Sequence, residues 1–221
     1  MIKIKKYEKD KGKISFITDM SASLANAIRR SALEIPIMAI DEVEIFKNDS
    51  ALYDEMIAHR LGLIPIKTEK AIKHTKFKIK EVGPKTVYST DIKPSIGTSF
   101  KLPVVILDNE QELEIVCDAK LGKGIEHIKY SPGLVFYKHS VDEDVLDYIH
   151  VDDNGKVSYN EEELKNKEVS EELLNKIKKV KEIHELEFNI EGWGQIPVKD
   201  IFPKAIDVLD KNLNELGKAV K

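Results

Sequence analysis

From Val198 to Ala219 the sequence reads VKDIFPKAIDVLDKNLNELGKA, with Ile201, Ala205, Val208, Leu209, Leu213 and Leu216 at helical spacing. Phe202 and Ile206 widen that stripe beyond what one small core needs. A helix with so broad an apolar face must be covered on more than one side. This constrains the rest of the chain more than any other stretch does.

A second region has related features. It runs from Ser21 to Ile66 as SASLANAIRRSALEIPIMAIDEVEIFKNDSALYDEMIAHRLGLIPI. Asp19 or Ser21 is placed to cap a helix. Leu24, Ile28, Ser31 and Ile35 then recur at helical spacing until Pro36 stops the run. Ala25, Ala27 and Ala32 beside them are small enough for another helix to come close. Arg29 and Arg30 are neighbours, so they point about 100° apart and cannot face one partner alike. Ala39 to Phe46 predicts a strand. Asp54 to Leu61 predicts a short helix with Ile57 and Leu61 on one face, His59 and Arg60 in its last turn, and Gly62 as its C′ residue.

The remaining elements are mostly strands. Ile2 to Thr18 reads as a hairpin turning at Asp10-Lys11-Gly12-Lys13. Composition shifts at Lys67, and β signals continue to His139. Leu113, Ile115, Cys117 and Ala119 alternate with Glu112, Glu114, Val116 and Asp118, as in a half-buried strand. KLGKGIEHIKYSPG, with Gly122, Gly124, Pro132 and Gly133, predicts a long irregular segment. Ser170 caps a helix carrying Leu173, Leu174, Ile177 and Val180. An alternating strand returns at Leu186, Phe188 and Ile190 and breaks at Gly192-Trp193-Gly194. The pattern is that of an α+β protein, helices and antiparallel strands at its two ends and a β-rich stretch inserted between them.

Composition narrows the function. The chain has 221 residues, 42% hydrophobic and 33% charged, which suits a folded protein with a real core. Its net charge of −4 lacks the basic excess of a chain that wraps nucleic acid. Cys117 is alone, so no intramolecular disulfide and no all-cysteine metal site can form. None of the six histidines stands in a metal-binding spacing. His150 to Glu161 places Asp152, Asn154, Gly155, Ser158 and Glu161 at positions of a calcium loop, but His150 stands where its first aspartate belongs. A calcium-binding regulator is therefore the second functional reading. Glu42 and Glu44 share a strand face without other catalytic groups, and no nucleophile–base pair is evident. The N-terminus has no apolar signal region and no apolar run approaches a membrane span, so a cytoplasmic location is expected.

Asn26-Ala27-Ile28-Arg29-Arg30, Glu34-Ile35-Pro36 and His59-Arg60-Leu61-Gly62-Leu63-Ile64-Pro65 together resemble the D-subunit family of archaeal DNA-directed RNA polymerases. That family is the counterpart of the bacterial α-subunit N-terminal region and of the eukaryotic third-largest subunit. Tyr88 to Pro94, Ala119 to Gly124 with Glu126-His127, and Tyr130 to Gly133 fit the same family. The resemblance implies a discontinuous dimerisation domain, residues 1–66 and 183–221, around a β-rich insertion domain at 67–182. It implies a non-catalytic subunit that pairs with subunit L, gathers subunits N and P, and then recruits the large catalytic subunits. It also implies a subunit interface at Leu24, Ile28, Arg29, Arg30, Ser31, Ile35, His59, Arg60, Ile201, Ala205, Leu209, Leu213 and Leu216, with two helices from each partner packing together. Many members carry an iron–sulfur cluster held by cysteines in the interval that corresponds here to about 139–182. That interval contains no cysteine in this chain, so no cluster is expected.

Overall fold

In a computed structural model of the chain, the described residues are 2–68, 74–98, 100–141, 143–152, 156–160, 164, 170–179 and 185–220. The N-terminal hairpin pairs β1 (Ile2–Glu8) antiparallel with β2 (Lys13–Thr18). After α1 (Ala22–Ser31) and a 3₁₀ turn at Ala32–Glu34 come β3 (Ile37–Asn48) and α2 (Asp54–Gly62). Four strands follow: β4 (His74–Val82), β5 (Lys85–Tyr88), β6 (Pro103–Leu107) and β7 (Glu112–Gly122). Next are β8 (Gly133–His139), α3 (Glu143–Leu146), β9 (His150–Val151) and β10 (Val157–Ser158). The described elements end with α4 (Glu171–Lys179), β11 (Leu186–Gly192) and α5 (Val198–Ala219).

The fold is α+β, and the chain divides into two compact units, each built from two segments. Met1–Arg29 with Val135–Ile190 forms the first, and Arg30–Leu134 with Glu191–Lys221 forms the second. In the first unit a sheet in the order β1-β2-β11-β8 draws its strands from distant parts of the chain. Phe188 is fully buried on β11 and stacks between Phe16, at 5.5 Å, and Tyr137, at 6.2 Å. Such pairs add to the burial of the rings themselves. Val145, Leu164 and Ile177 are buried together in a small separate core. Ser170 caps α4 as its sequence suggests, its hydroxyl accepting from the Leu173 amide. Val180 lies outside the described residues.

The second unit is organised on an antiparallel sheet in the order β3-β7-β4. Leu113, Ile115, Cys117 and Ala119 of β7 are all fully buried, and the residues alternating with them are half-buried. Ile57 and Leu61 of α2 join the same core. Two local expectations are corrected. Lys120 to Gly122 extends β7 rather than opening the irregular segment, because Ala39, Met38 and Ile37 supply ladder partners. Gly122 is required there: an added Cβ would lie 2.6 Å from the Tyr130 ring. Gly62 is the last helical residue of α2 and not a left-handed C′ glycine, and the Leu63 amide continues the turn by donating to the His59 carbonyl.

Candidate subunit interface

Helix α5 has 22 residues, about 33 Å at the usual rise. Val198, Ile201 and Ala205 in its first half are buried. Among the described residues its second half is mostly exposed. Leu209 is half-buried, Leu213 is 58% exposed and Leu216 is 60% exposed. The helix is fixed where its covered half ends. Asn212 donates to Glu34 Oε1 at 3.2 Å, and Glu34 also pairs with Lys123 at 3.8 Å. Glu34 belongs to the 3₁₀ turn, between buried Ala32 and Ile35.

In α1, Ser21 rather than Asp19 supplies the cap: the Leu24 amide donates to its hydroxyl at 3.3 Å and the Ala25 amide to its carbonyl at 2.9 Å. Leu24 is 46% exposed, whereas Ala25, Ile28 and Ser31 are buried. The two arginines differ as their angular separation requires. Arg29 is half-buried and folds along its own helix, with Nε and Nη2 donating to Asn26 Oδ1 at 3.2 and 2.9 Å. Arg30 is exposed. His59 and Arg60 are exposed in the last turn of α2, and Arg60 donates to the Pro103 carbonyl at 3.0 Å. Of the residues expected at an interface, Ile28, Ser31, Ile35, Ile201 and Ala205 are thus buried within the chain, and Leu24, Arg30, His59, Arg60, Leu213 and Leu216 are displayed.

One cluster has no counterpart in the sequence reading. The β3–β7 register skips Asp41, a bulge that re-aims its side chain. Asp41 then accepts from Lys129 and from the Tyr130 hydroxyl, both at 2.7 Å, and pairs with Lys120. Burial opposes its ionisation, but the hydrogen bonds from Lys120, Lys129 and Tyr130 outweigh that and hold the carboxyl well below the usual carboxylate range. Burial, and then the bond to Asp41, push the Tyr130 phenol up. Glu42 and Glu44, by contrast, are exposed.

Among the described residues no group of three or more His, Cys, Asp or Glu side chains is placed to hold a metal ion. Cys117 is fully buried in β7, and that burial pushes its thiol up to about 12. A cubane cluster needs about four thiolates, so one inaccessible thiol does not fit it. In the calcium-loop segment the described strands β9 and β10 pair antiparallel, Val157 with Val151 and Ser158 with His150. Asp152 Oδ1 accepts from the Lys156 amide at 2.8 Å, which is turn chemistry. Asn154, Gly155 and Glu161 lie outside the described residues. No described helix is long and apolar enough to cross a membrane.

With this geometry in place, comparison with known proteins decides the family. The RNA polymerase Rpb3/Rpb11 dimerisation domain matches residues 16–213. The chain belongs to this family. It is 34% identical to DNA-directed RNA polymerase subunit Rpo3 of Pyrococcus horikoshii across 99% of both chains. The Thermococcus kodakarensis subunit of the same name is 33% identical, again across 99% of both. The Methanocaldococcus jannaschii subunit is 41% identical over 66% of this chain and 80% of its own. The P. horikoshii alignment runs over 256 positions, more than the 221 residues here, so that relative carries segments this chain lacks.

Proposed function

We propose that this chain is a non-catalytic assembly subunit of archaeal DNA-dependent RNA polymerase. It pairs with subunit L, and the pair joins subunits N and P before the large catalytic subunits are recruited. Nucleotidyl transfer belongs to those large subunits. The observation that carries the pairing is the second half of α5, where Leu213 and Leu216 stand exposed in a chain matched to a dimerisation family. Burying two leucines is worth about 1.5–3 kcal/mol each before ordering costs, enough to matter in an obligate pair.

In this reading residues 1–66 and 183–221 form the dimerisation domain and 67–182 the insertion domain. Leu209, Leu213 and Leu216 serve as apolar contacts on α5, where Ile201 and Ala205 are buried, and Leu24 is taken separately as an apolar contact on α1, with Ile28, Ser31 and Ile35 buried along that stretch of chain. Arg29, Arg30, His59 and Arg60 serve the larger assembly, where the planar, permanently charged arginine suits charged partners. Co-expression with subunit L followed by size-exclusion chromatography tests the reading. Wild type is expected to elute as a heterodimer, and Leu213→Asp with Leu216→Asp as a folded single chain. Co-elution of the double variant at wild-type yield would remove α5 from the interface.

A further inference from the structure

We infer that the loop Lys123–Tyr130 is a second contact surface for the partner that covers α5, with Ile125 and Ile128 as its apolar anchors. The inference rests on the heterodimer reading above. Ile125 is 61% and Ile128 65% exposed. Scattered exposed apolar side chains are ordinary on protein surfaces, so exposure alone decides nothing. The way these two are held is what sets them apart.

The loop is fixed at both ends. At its start Gly124 lies against Leu33 so closely that an added Cβ would meet the Leu33 carbonyl oxygen at 3.0 Å. At its end Lys129 and Tyr130 are bound to Asp41. Between them the Lys129 amide donates to His127 Nδ1 at 3.1 Å, which starts the 3₁₀ turn at Ile128–Tyr130. The two isoleucines are therefore displayed on prearranged backbone, and a partner that buries them meets little ordering cost.

Continuity identifies the occupant. Glu34 binds Asn212 of α5 on one side and Lys123 of the loop on the other, so one carboxylate joins the dimerisation helix to the loop within a single unit. A partner that covers Leu213 and Leu216 and reaches across this junction gains the isoleucines as well, and protein interfaces set polar groups beside their apolar anchors.

The test measures the dissociation constant for purified subunit L by calorimetry, using full-length wild type, I125A/I128A, I125V/I128V and L213D/L216D. I125A/I128A is expected to weaken pairing about tenfold or more, with the valine variant near wild type and unfolding curves unchanged. If I125A/I128A pairs within twofold of wild type while L213D/L216D does not pair, this inference is overturned and the heterodimer reading stands. If neither variant weakens pairing, both fall. Normal pairing by I125A/I128A with failure to enter the complete polymerase assigns the loop to another chain and also overturns the inference. If I125A/I128A unfolds early, hydrogen exchange on wild type with and without subunit L decides: slower exchange of the amides from Gly124 to Lys129 on pairing supports the inference, and unchanged exchange overturns it.

Discussion

Replacing Asp41 with Asn removes one charge and almost no volume, so it isolates the electrostatic role of the cluster. Lys129 is 15% exposed and bound to Asp41 at 2.7 Å. The Tyr130 hydroxyl sits at the same distance. Both bonds fall on Oδ1, so an amide oxygen there keeps them but without the charge, at about half their strength, and a loss of about 1–3 kcal/mol is expected for D41N. Lys120 is nearly half exposed, so its ion pair adds little. Asp41→Ala leaves a largely buried ammonium without its partner and should cost about 3–5 kcal/mol. Urea unfolding at neutral pH, with hydrogen exchange of the β3 and β7 amides, reads the loss directly. The pH dependence has a definite sign. The Asp41 carboxyl is depressed in the folded chain, so its contribution is fully present above about pH 3.9 and disappears as the pH falls through the lower folded value. Tyr130 is raised, so its contribution holds below about pH 10 and is lost as the pH rises through the folded value. D41N stability within about 0.5 kcal/mol of wild type, the scatter of ordinary surface substitutions, would refute the reasoning.

Two further predictions concern the single cysteine. Cys117 should resist iodoacetamide and disulfide reagents in the native chain at about pH 8 and react only when denaturant opens β7; fast native labelling would contradict its burial and raised thiol pKa. Purified protein should show no visible absorbance band from an iron–sulfur cluster, with or without reconstitution by iron and sulfide, and a stoichiometric band would overturn the cluster-free reading.

Much of the fold was legible because local pattern and burial coincide. The final helix has the predicted bounds Val198 and Ala219. The alternation along β7 is the observed burial pattern. What was missed is non-local. Asp41 meets Lys129 and Tyr130 across separations of 88 and 89 residues, and a one-residue bulge decides where its side chain points. Periodicity placed Glu42 and Glu44 on one strand face and gave Asp41 no role, since nothing in the local sequence marks a register shift. The end of β7 was missed for the same reason: Lys120 to Gly122 looks like loop chemistry until Ile37 to Ala39 are laid beside it.

Periodicity has a further limit at the interface, and α5 shows it. Ile201, Ala205, Leu209, Leu213 and Leu216 form one stripe in sequence, yet only its first half is buried by the chain. A spacing rule reports that a face is apolar, not which molecule covers it. The structure divides the stripe near Asn212, where Glu34 holds the helix before it runs on uncovered. Isolated helices shorter than about 12–15 residues are marginal in water, and the stretch of α5 after Asn212 is shorter than that, so its order depends on what it packs against. The exposed half therefore stands to gain order as well as burial from a partner. Hydrogen exchange should show this gradient directly: amides after Asn212 exchange faster than those near Ile201 in the isolated chain, and slow on pairing only if the partner lies on that half.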